Sequence, residues 1–243
     1  MPVARAFFSI LIQATEDSSM SEPTLQQKLA DLHAERVRTF DPAALQVNID
    51  QRATLVQAAK TARFVRAGDI VQPFTVQEVG GATLSLDDLL AHGPAVLIFF
   101  RFAGCPACNI AIPHYERTLT PGVRALGASL TAISPQDPAR LGEIKTRHTL
   151  SFNVASDGNV LGRRFGILYT ADDASKAASL ARGSFIGDVT GTGTWELPQP
   201  AAIVIGQDRL VHFADVSPDW MVRTEAAPIL DAVRQATQNR KAA

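Results

Sequence analysis

Two cysteines in 243 residues are too few for a disulfide-stapled secreted scaffold, which needs several bridges in a short chain. Long apolar runs are also missing. The longest, such as Pro94 to Phe100, fall far short of the ~20 residues that a bilayer span demands, so no membrane association is expected. Neither charge sign is in excess: 23 Lys+Arg against 24 Asp+Glu leave −1. Nucleic-acid binders carry a basic surplus, so no nucleic acid is expected as a partner. No second cysteine pair and no His-x-x-x-His follow the two cysteines, which weakens a zinc reading. Gly187 to Gly193 lacks a following Gly-Lys-Ser/Thr and is no phosphate loop, and Asp172-Asp173 sits in a polar stretch that needs no metal. No metal and no cofactor are expected.

What is present suits a globular chain with a real core: 46% hydrophobic and 19% charged residues. Residues 1–12 hold one Arg and then Ala-Phe-Phe-Ser-Ile-Leu-Ile, a miniature of a signal peptide without a clean cleavage site. The plainer reading of residues 1–19 is an extension ahead of Met20. Residues 24–64 read as two helices. Thr24 and Gln27 form a capping box ahead of a Leu25, Leu29, Leu32 stripe. Asp41-Pro42 caps a second helix, with Leu45, Ile49, Ala53 and Val56 expected on its inner face. This pair has two destinations open to it, the main domain or a second subunit in a homodimer.

From Gly68 the texture changes. Phe74–Val79 and Ala82–Leu86 flank Gly80-Gly81, a two-residue hairpin signal. Ser85 and Asp88 cap a short helix, and Ala95–Phe100 reads as a central strand covered on both sides. Helices are expected at 108–120, 137–148 and 159–165, and strands at 129–133 and 150–154. Strands alternating with helices imply crossover units and an α/β fold with a mainly parallel core sheet. Residues 170–200 break the rhythm and read as an inserted loop. An antiparallel hairpin of Ala201–Ile205 with Leu210–Phe213 follows, then a helix over 226–237.

Cys105-Pro-Ala-Cys108 lies where the buried strand gives way to a helix. With Cys105 as N-cap, Pro106 takes the first helical position, where its missing N–H costs nothing. The sulfur then faces unpaired helix N–H groups and the positive end of the dipole, which favour the nucleophilic thiolate. Cys108, one turn in, is placed to resolve an oxidised Cys105. Plainer readings are a structural disulfide, which would close a trivial loop, and two inert buried thiols. His114, His148 and His212 are candidates for a thiolate helper, though solvated or core histidines are commoner. Trp195 and Leu197 either line the site or pin the insertion.

Residues 68–240 resemble the thioredoxin fold, and more closely its peroxiredoxin branch of AhpC/TSA type. Cys105-Pro-Ala-Cys108 followed by Pro113 is similar to the thioredoxin arrangement with its helix-kinking proline. Ala67–Phe74, Leu84–Asp88, Ala132-Ile-Ser-Pro-Gln-Asp137, Leu150–Val154, Ser156-Asp157-Gly158 and Phe165-Gly166-Ile167 resemble peroxiredoxin segments in the same order. The typical Pro-x-x-x-Thr-x-x-Cys is absent: Ile98 and Phe102 stand at the Pro and Thr positions before Cys105. A divergent branch with Arg-x-x-Trp-Cys-Pro-x-Cys-Asn fits better through Arg101, Cys105, Pro106, Cys108 and Asn109, with Gly104 in place of the Trp. Trp195-Glu-Leu-Pro198-Gln-Pro200 is also similar to that branch.

The resemblance implies a thioredoxin-like fold, a central mixed sheet flanked by helices, behind an N-terminal helical extension (1–66, then 67–243 with the 170–200 insertion). It implies a thiol-dependent peroxidase in which Cys105 and Cys108 are catalytic and Arg101, Pro106 and Pro200 support them. Pro200, or else Pro198, suits the cis-proline of thioredoxins, and Arg101 either replaces the peroxide-orienting arginine that is missing before Ala201 or makes a surface salt bridge. The partners expected are a peroxide and an external thiol reductant of thioredoxin or glutathione type, in the cytoplasm. The alternatives are a thioredoxin- or glutaredoxin-like protein disulfide oxidoreductase and a non-catalytic module that pairs subunits.

Overall fold

The computed structural model describes residues 22–242, with side chains as far as Gln238. The expectation for residues 1–19 lies outside the described residues. The N-terminal part holds α1 (Leu25–Thr39) and α2 (Pro42–Ala59), followed by β1 (Thr75–Glu78), β2 (Thr83–Ser85) and α3 (Leu86–Leu90). The middle runs β3 (Ala95–Phe99), α4 (Pro106–Thr118), α5 (Thr120–Ala125), β4 (Ser129–Ser134), α6 (Pro138–Arg147) and β5 (Asn153–Ser156). Next come α7 (Val160–Arg164), β6 (Leu168–Thr170), α8 (Asp173–Leu180), α9 (Ile186–Thr190) and β7 (Glu196–Pro198). The chain closes with β8 (Ala201–Ile205), β9 (Val211–Val216) and α10 (Ala226–Ala242). No helix among the described residues is long and apolar enough to cross a membrane.

Seven strands form one sheet in the order β2-β1-β5-β4-β3-β8-β9, parallel across β3–β4 and β4–β5 and antiparallel elsewhere. β3 is buried along its whole length, and its period of two splits its side chains between two cores. Val96 and Ile98 join Cys105, Cys108, Leu25 and Leu29 on one face, while Ala95, Leu97 and Phe99 join Leu86, Leu161 and Phe165 on the other. The thiols therefore belong to the core that lies under α1, α4 and α10.

Local signals translate directly where partners sit three residues apart. Both capping boxes form, Thr24 with Gln27 and Ser85 with Asp88, and Asp41 caps α2. α1 packs on α4, so the extension docks on the α/β part of the chain. Its N-terminal amides at Leu25 and Gln26 donate to the Glu225 carboxylate at 3.3 and 3.0 Å, and Arg52 of α2 holds Asp219 at 3.0 Å.

Several expectations need correction. On α2 the buried face is Leu45, Gln51 and Leu55, and Val56 is exposed, because α2 packs against α8 as well as α1. The first hairpin turns through Val79, Gly80 and Gly81 rather than two residues. The Gly81 N–H donates to the Glu78 carbonyl, Glu78 pairs with Ala82, and Gly81 takes a φ of 99°, the left-handed position of a three-residue turn. β5 begins at Asn153, three residues late, since Leu150 and Phe152 are consumed in core packing before the ladder starts. The 170–200 stretch is no plain loop: it carries α8 and α9, and it is fastened by the β6–β7 pair.

Candidate active site

β3 ends at Phe99, and residues 101–104 form the short bridge to α4. The bridge is held from the neighbouring strand: Gln136 Oε1 accepts from the Ala103 N–H at 2.8 Å, and Ser134 Oγ donates to the Arg101 carbonyl at 3.1 Å. The Ser-Pro-Gln run thus shapes the loop before the cysteine. Asn109 reaches back from α4, donating to the carbonyls of Ala103 and Cys105 at 2.7 and 2.9 Å. Its Oδ1 faces Arg147 Nη1 at 3.0 Å and His148 Nε2 at 2.9 Å.

Cys105 is the N-cap of α4, and Pro106 is its first residue, two positions ahead of the expected helix start. Pro113 lies inside the helix. Cys105 and Cys108 are both free thiols, 1% and 0% exposed, and they approach to 3.2 Å. The Cys105 thiol is held well below its ordinary value, chiefly by the Cys108 side chain, then by the Arg101 and Arg223 guanidiniums, with burial opposing. Burial and the Cys105 sulfur push Cys108 the other way. This asymmetry makes Cys105 the first of the pair to give up its proton.

Each sulfur has its own guanidinium. Arg101 Nη1 lies 3.9 Å from Cys105 Sγ, and its head stacks 4.3 Å over the Trp220 ring. Of the two accounts of Arg101, no salt bridge is found among the described residues, where its neighbours are a sulfur and aromatic rings. Trp220 stacks in turn on Tyr169, with centroids 6.0 Å apart. Arg223, 7% exposed, brings Nη2 to 3.8 Å from Cys108 Sγ while Nη1 donates to the Val222 carbonyl. The loop carrying Trp220 and Arg223 is pinned by Tyr115 of α4, whose hydroxyl donates to the Thr224 carbonyl at 2.7 Å.

Sequence reasoning overlooked Trp220, Tyr169, Gln136 and Arg223. One signal was there to use: tryptophan occurs twice in the chain, and one copy sits three residues before an arginine in the β9–α10 loop. The histidines stand apart from the sulfurs. His114 faces Lys28, Glu22 and Glu225, His212 faces Asp208, and His148 acts only through Asn109. Trp195 packs on Phe185 of the same 170–200 stretch, with ring centroids 4.6 Å apart, and lines the cavity beside Arg101 together with Leu197.

Pro200 does not take the cis-proline role. No cis peptide bond occurs among the described residues. The backbone edge such a proline would leave for a partner is already used, because β9 pairs along β8 and the Ser217 N–H donates to the Pro200 carbonyl at 2.7 Å. Pro198 is likewise consumed, paired with Leu168.

Two cavities matter. One of about 220 Å3 has Arg101 and Trp220 in its wall and runs outward between α2 and the 170–200 insertion. A larger one, about 1330 Å3, lies between residues 62–73 and α7 and contains no cysteine or histidine. The smaller borders Arg101, and neither cysteine is in its lining.

The model of the AhpC/TSA family matches residues 67–214, more than half of the chain. No curated protein matches it. Among solved structures, peroxidoxin BcpB from Mycobacterium tuberculosis is 22% identical with a TM-score of 0.54, covering 70% of this chain and 97% of that one. A variant of peroxiredoxin 6 from Arenicola marina is 16% identical at a TM-score of 0.57, covering 73% and 76%. A PrxQ variant from Xylella fastidiosa is 13% identical at 0.55, covering 70% and 96%. At these identities the solved structures speak for the fold, and the family match speaks for the lineage. The chain belongs to the AhpC/TSA family, with the thioredoxin-type fold of the peroxiredoxins, and is a peroxiredoxin-like thiol oxidoreductase.

Proposed function

We propose that the protein is a thiol peroxidase that runs on the Cys105–Cys108 pair. The observation that carries this reading is the N-cap thiol of Cys105 with a guanidinium at 3.9 Å and a second thiol within 3.2 Å. The Cys105 thiolate attacks one peroxide oxygen, an S–O bond forms as the O–O bond breaks, and the leaving oxygen departs protonated as alcohol or water. Arg101 steadies the negative charge that builds on the departing oxygen. Cys108 then attacks the Cys105 sulfenic acid, forming the disulfide and releasing water. An external dithiol, of thioredoxin or glutathione type, returns both sulfurs to thiols. Arg223 favours departure of Cys108 as thiolate during that reduction.

Stopped-flow oxidation by hydrogen peroxide tests the scheme. Wild-type protein is expected to oxidise and to turn over with a dithiol donor. Cys105→Ser is expected to be inert, and Cys108→Ala to stop at a sulfenic acid that dimedone traps. Activity surviving in Cys105→Ser would sink the proposal. The disulfide-reductase reading draws support from Pro113, which lies inside α4 where its missing N–H removes a helix hydrogen bond, an arrangement similar to that of thioredoxins. It predicts catalysed reduction of a protein disulfide with negligible peroxide turnover.

A further inference from the structure

The stretch matched by the family ends at residue 214, yet two residues that bear on the sulfurs, Trp220 and Arg223, lie beyond it on the β9–α10 loop. α1 and α2 lie before it. These two flanks are bonded to each other. Nη1 of Arg52 on α2 donates to both Asp219 carboxylate oxygens at 3.1 and 3.0 Å, and the Glu225 carboxylate accepts from the first amides of α1.

The ends of that loop are fixed by the α/β part of the chain. The Ser217 N–H donates to the Pro200 carbonyl, the Tyr115 hydroxyl to the Thr224 carbonyl, and the Thr224 hydroxyl to the Asp215 carboxylate. Between these ends, residues 218–222 receive hydrogen bonds from outside the loop only through Arg52, among the described residues. Asp219 passes that hold on. Its Oδ1 accepts from the Met221 N–H at 2.8 Å and its carbonyl from the Val222 N–H at 2.9 Å, which closes a turn around Trp220. Trp220 in turn carries the Arg101 guanidinium on its ring. The Arg52–Asp219 pair is sheltered, with side chains 12% and 26% exposed, so water screens it less than a surface pair. Arg52 also keeps a buried Nε without a partner, a cost that an apolar side chain in its place would not carry.

We propose that Arg52 is a positioning residue for the thiol chemistry: through Asp219 it seats the Trp220 loop, which holds Arg101 against Cys105 and Arg223 against Cys108. This rests on Cys105 being the reacting thiol. The N-terminal helical pair then completes the site in addition to covering it.

The test uses Arg52→Met, Arg52→Lys and Asp219→Asn, with urea midpoints to show that each folds. Arg52→Met is expected to slow Cys105 oxidation by hydrogen peroxide about tenfold, the low end of the loss when a group that orients a reacting residue is removed. It is also expected to raise the pH midpoint of Cys105 alkylation. One nitrogen makes both contacts to Asp219, so Arg52→Lys is expected to restore most of the rate. Asp219→Asn separates positioning from charge. Deleting a negative charge would by its field alone lower the Cys105 midpoint, whereas unseating the loop raises it. A rise in both Arg52→Met and Asp219→Asn supports the proposal, and a fall or no change in Asp219→Asn overturns it. Should Arg52→Met fail to fold, Asp219→Asn decides alone.

The loop itself is read in a Trp195→Phe background, where Trp220 is the remaining tryptophan. Acrylamide quenching is expected to rise in Arg52→Met and to return to the wild-type level in Arg52→Lys. Unchanged quenching in Arg52→Met would overturn the proposal. In an Arg101→Met background, Arg52→Met is expected to add little to the loss of oxidation rate, because it acts through Arg101, and a full further loss of about tenfold would overturn it. Failure of hydrogen peroxide to oxidise wild-type Cys105 would remove the peroxidase reading instead, and the alkylation midpoints and quenching then still decide the role of Arg52.

Discussion

Cys105 carries no charged neighbour in sequence closer than Arg101, yet three unequal contacts favour its thiolate against the cost of burial. The Cys108 side chain is the largest, the Arg101 guanidinium next, and Arg223 the third. Removing them one at a time raises the Cys105 thiol in that order, so Cys108→Ala is expected to shift the alkylation midpoint most, Arg101→Met less, and Arg223→Met least. Each tenfold loss of thiolate at a fixed pH corresponds to about 1.4 kcal/mol. Site-resolved iodoacetamide labelling across pH reads the order. Midpoints unmoved in both Cys108→Ala and Arg101→Met would mean that burial alone governs the thiol. The order also separates the arginines by task, because Arg223 lies against the Cys108 sulfur and Arg101 against Cys105.

At the scale of elements, α1 is part of the roof over those sulfurs. Leu25 and Leu29 are fully buried in the same core as Cys105 and Cys108, and burial of each contributes about 2 kcal/mol. Leu29→Ala is expected to destabilise the protein by about 2–5 kcal/mol and to raise the Cys105 alkylation rate, since the α1–α4 contact opens ahead of the sheet. Urea midpoints and labelling rates check the two halves of this expectation. A loss of stability with unchanged labelling would show that α1 braces the fold without covering the site. The same element shows what a sequence reveals and what it hides. Capping at Thr24 and Ser85 was legible because donor and acceptor sit three residues apart. The face of α2 was not legible, because α8, over a hundred residues on, selects Leu55 over Val56. α8 itself escaped notice since none of its residues is buried and its one large apolar side chain, Leu180, is exposed. The site divides in the same way. Cys105 as N-cap before Pro106 follows from adjacent residues, whereas Arg223 meets Cys108 across 115 positions.

For the molecule as a whole, two histidines tie stability to pH. Burial lowers His114 below the ordinary imidazole value, aided by Lys28 and Arg117 and opposed by Glu22 and Glu225. Burial, with Arg147 and Arg117, lowers His148. A depressed histidine resists protonation in the folded state, so the unfolded chain binds protons first. The stability it contributes is complete above the unfolded value of ~6.5 and is lost as pH falls through the folded value. Carboxylates act at the acid end of this window or beyond it, such as Glu22, lowered to about 2 by Lys28 and Arg117, and the depressed Cys105 thiol adds a loss of the same sign as it takes up its proton. Urea midpoints are therefore expected to fall between pH 7.5 and 5.5, with a limiting slope of about 1.4 kcal/mol per pH unit for each proton taken up. A His114→Asn, His148→Asn double variant is expected to be less stable at pH 7.5 but flatter across the window. An equally steep fall in that variant would place the sensitivity elsewhere. The two sites also predict different local consequences. Losing the His148 Nε2–H donor disturbs the Asn109 clamp on the loop before Cys105, whereas protonating His114 disturbs the seam between α1 and α4. His148→Asn alone is thus expected to change Cys105 labelling at pH 7.5, and His114→Asn mainly the unfolding midpoint.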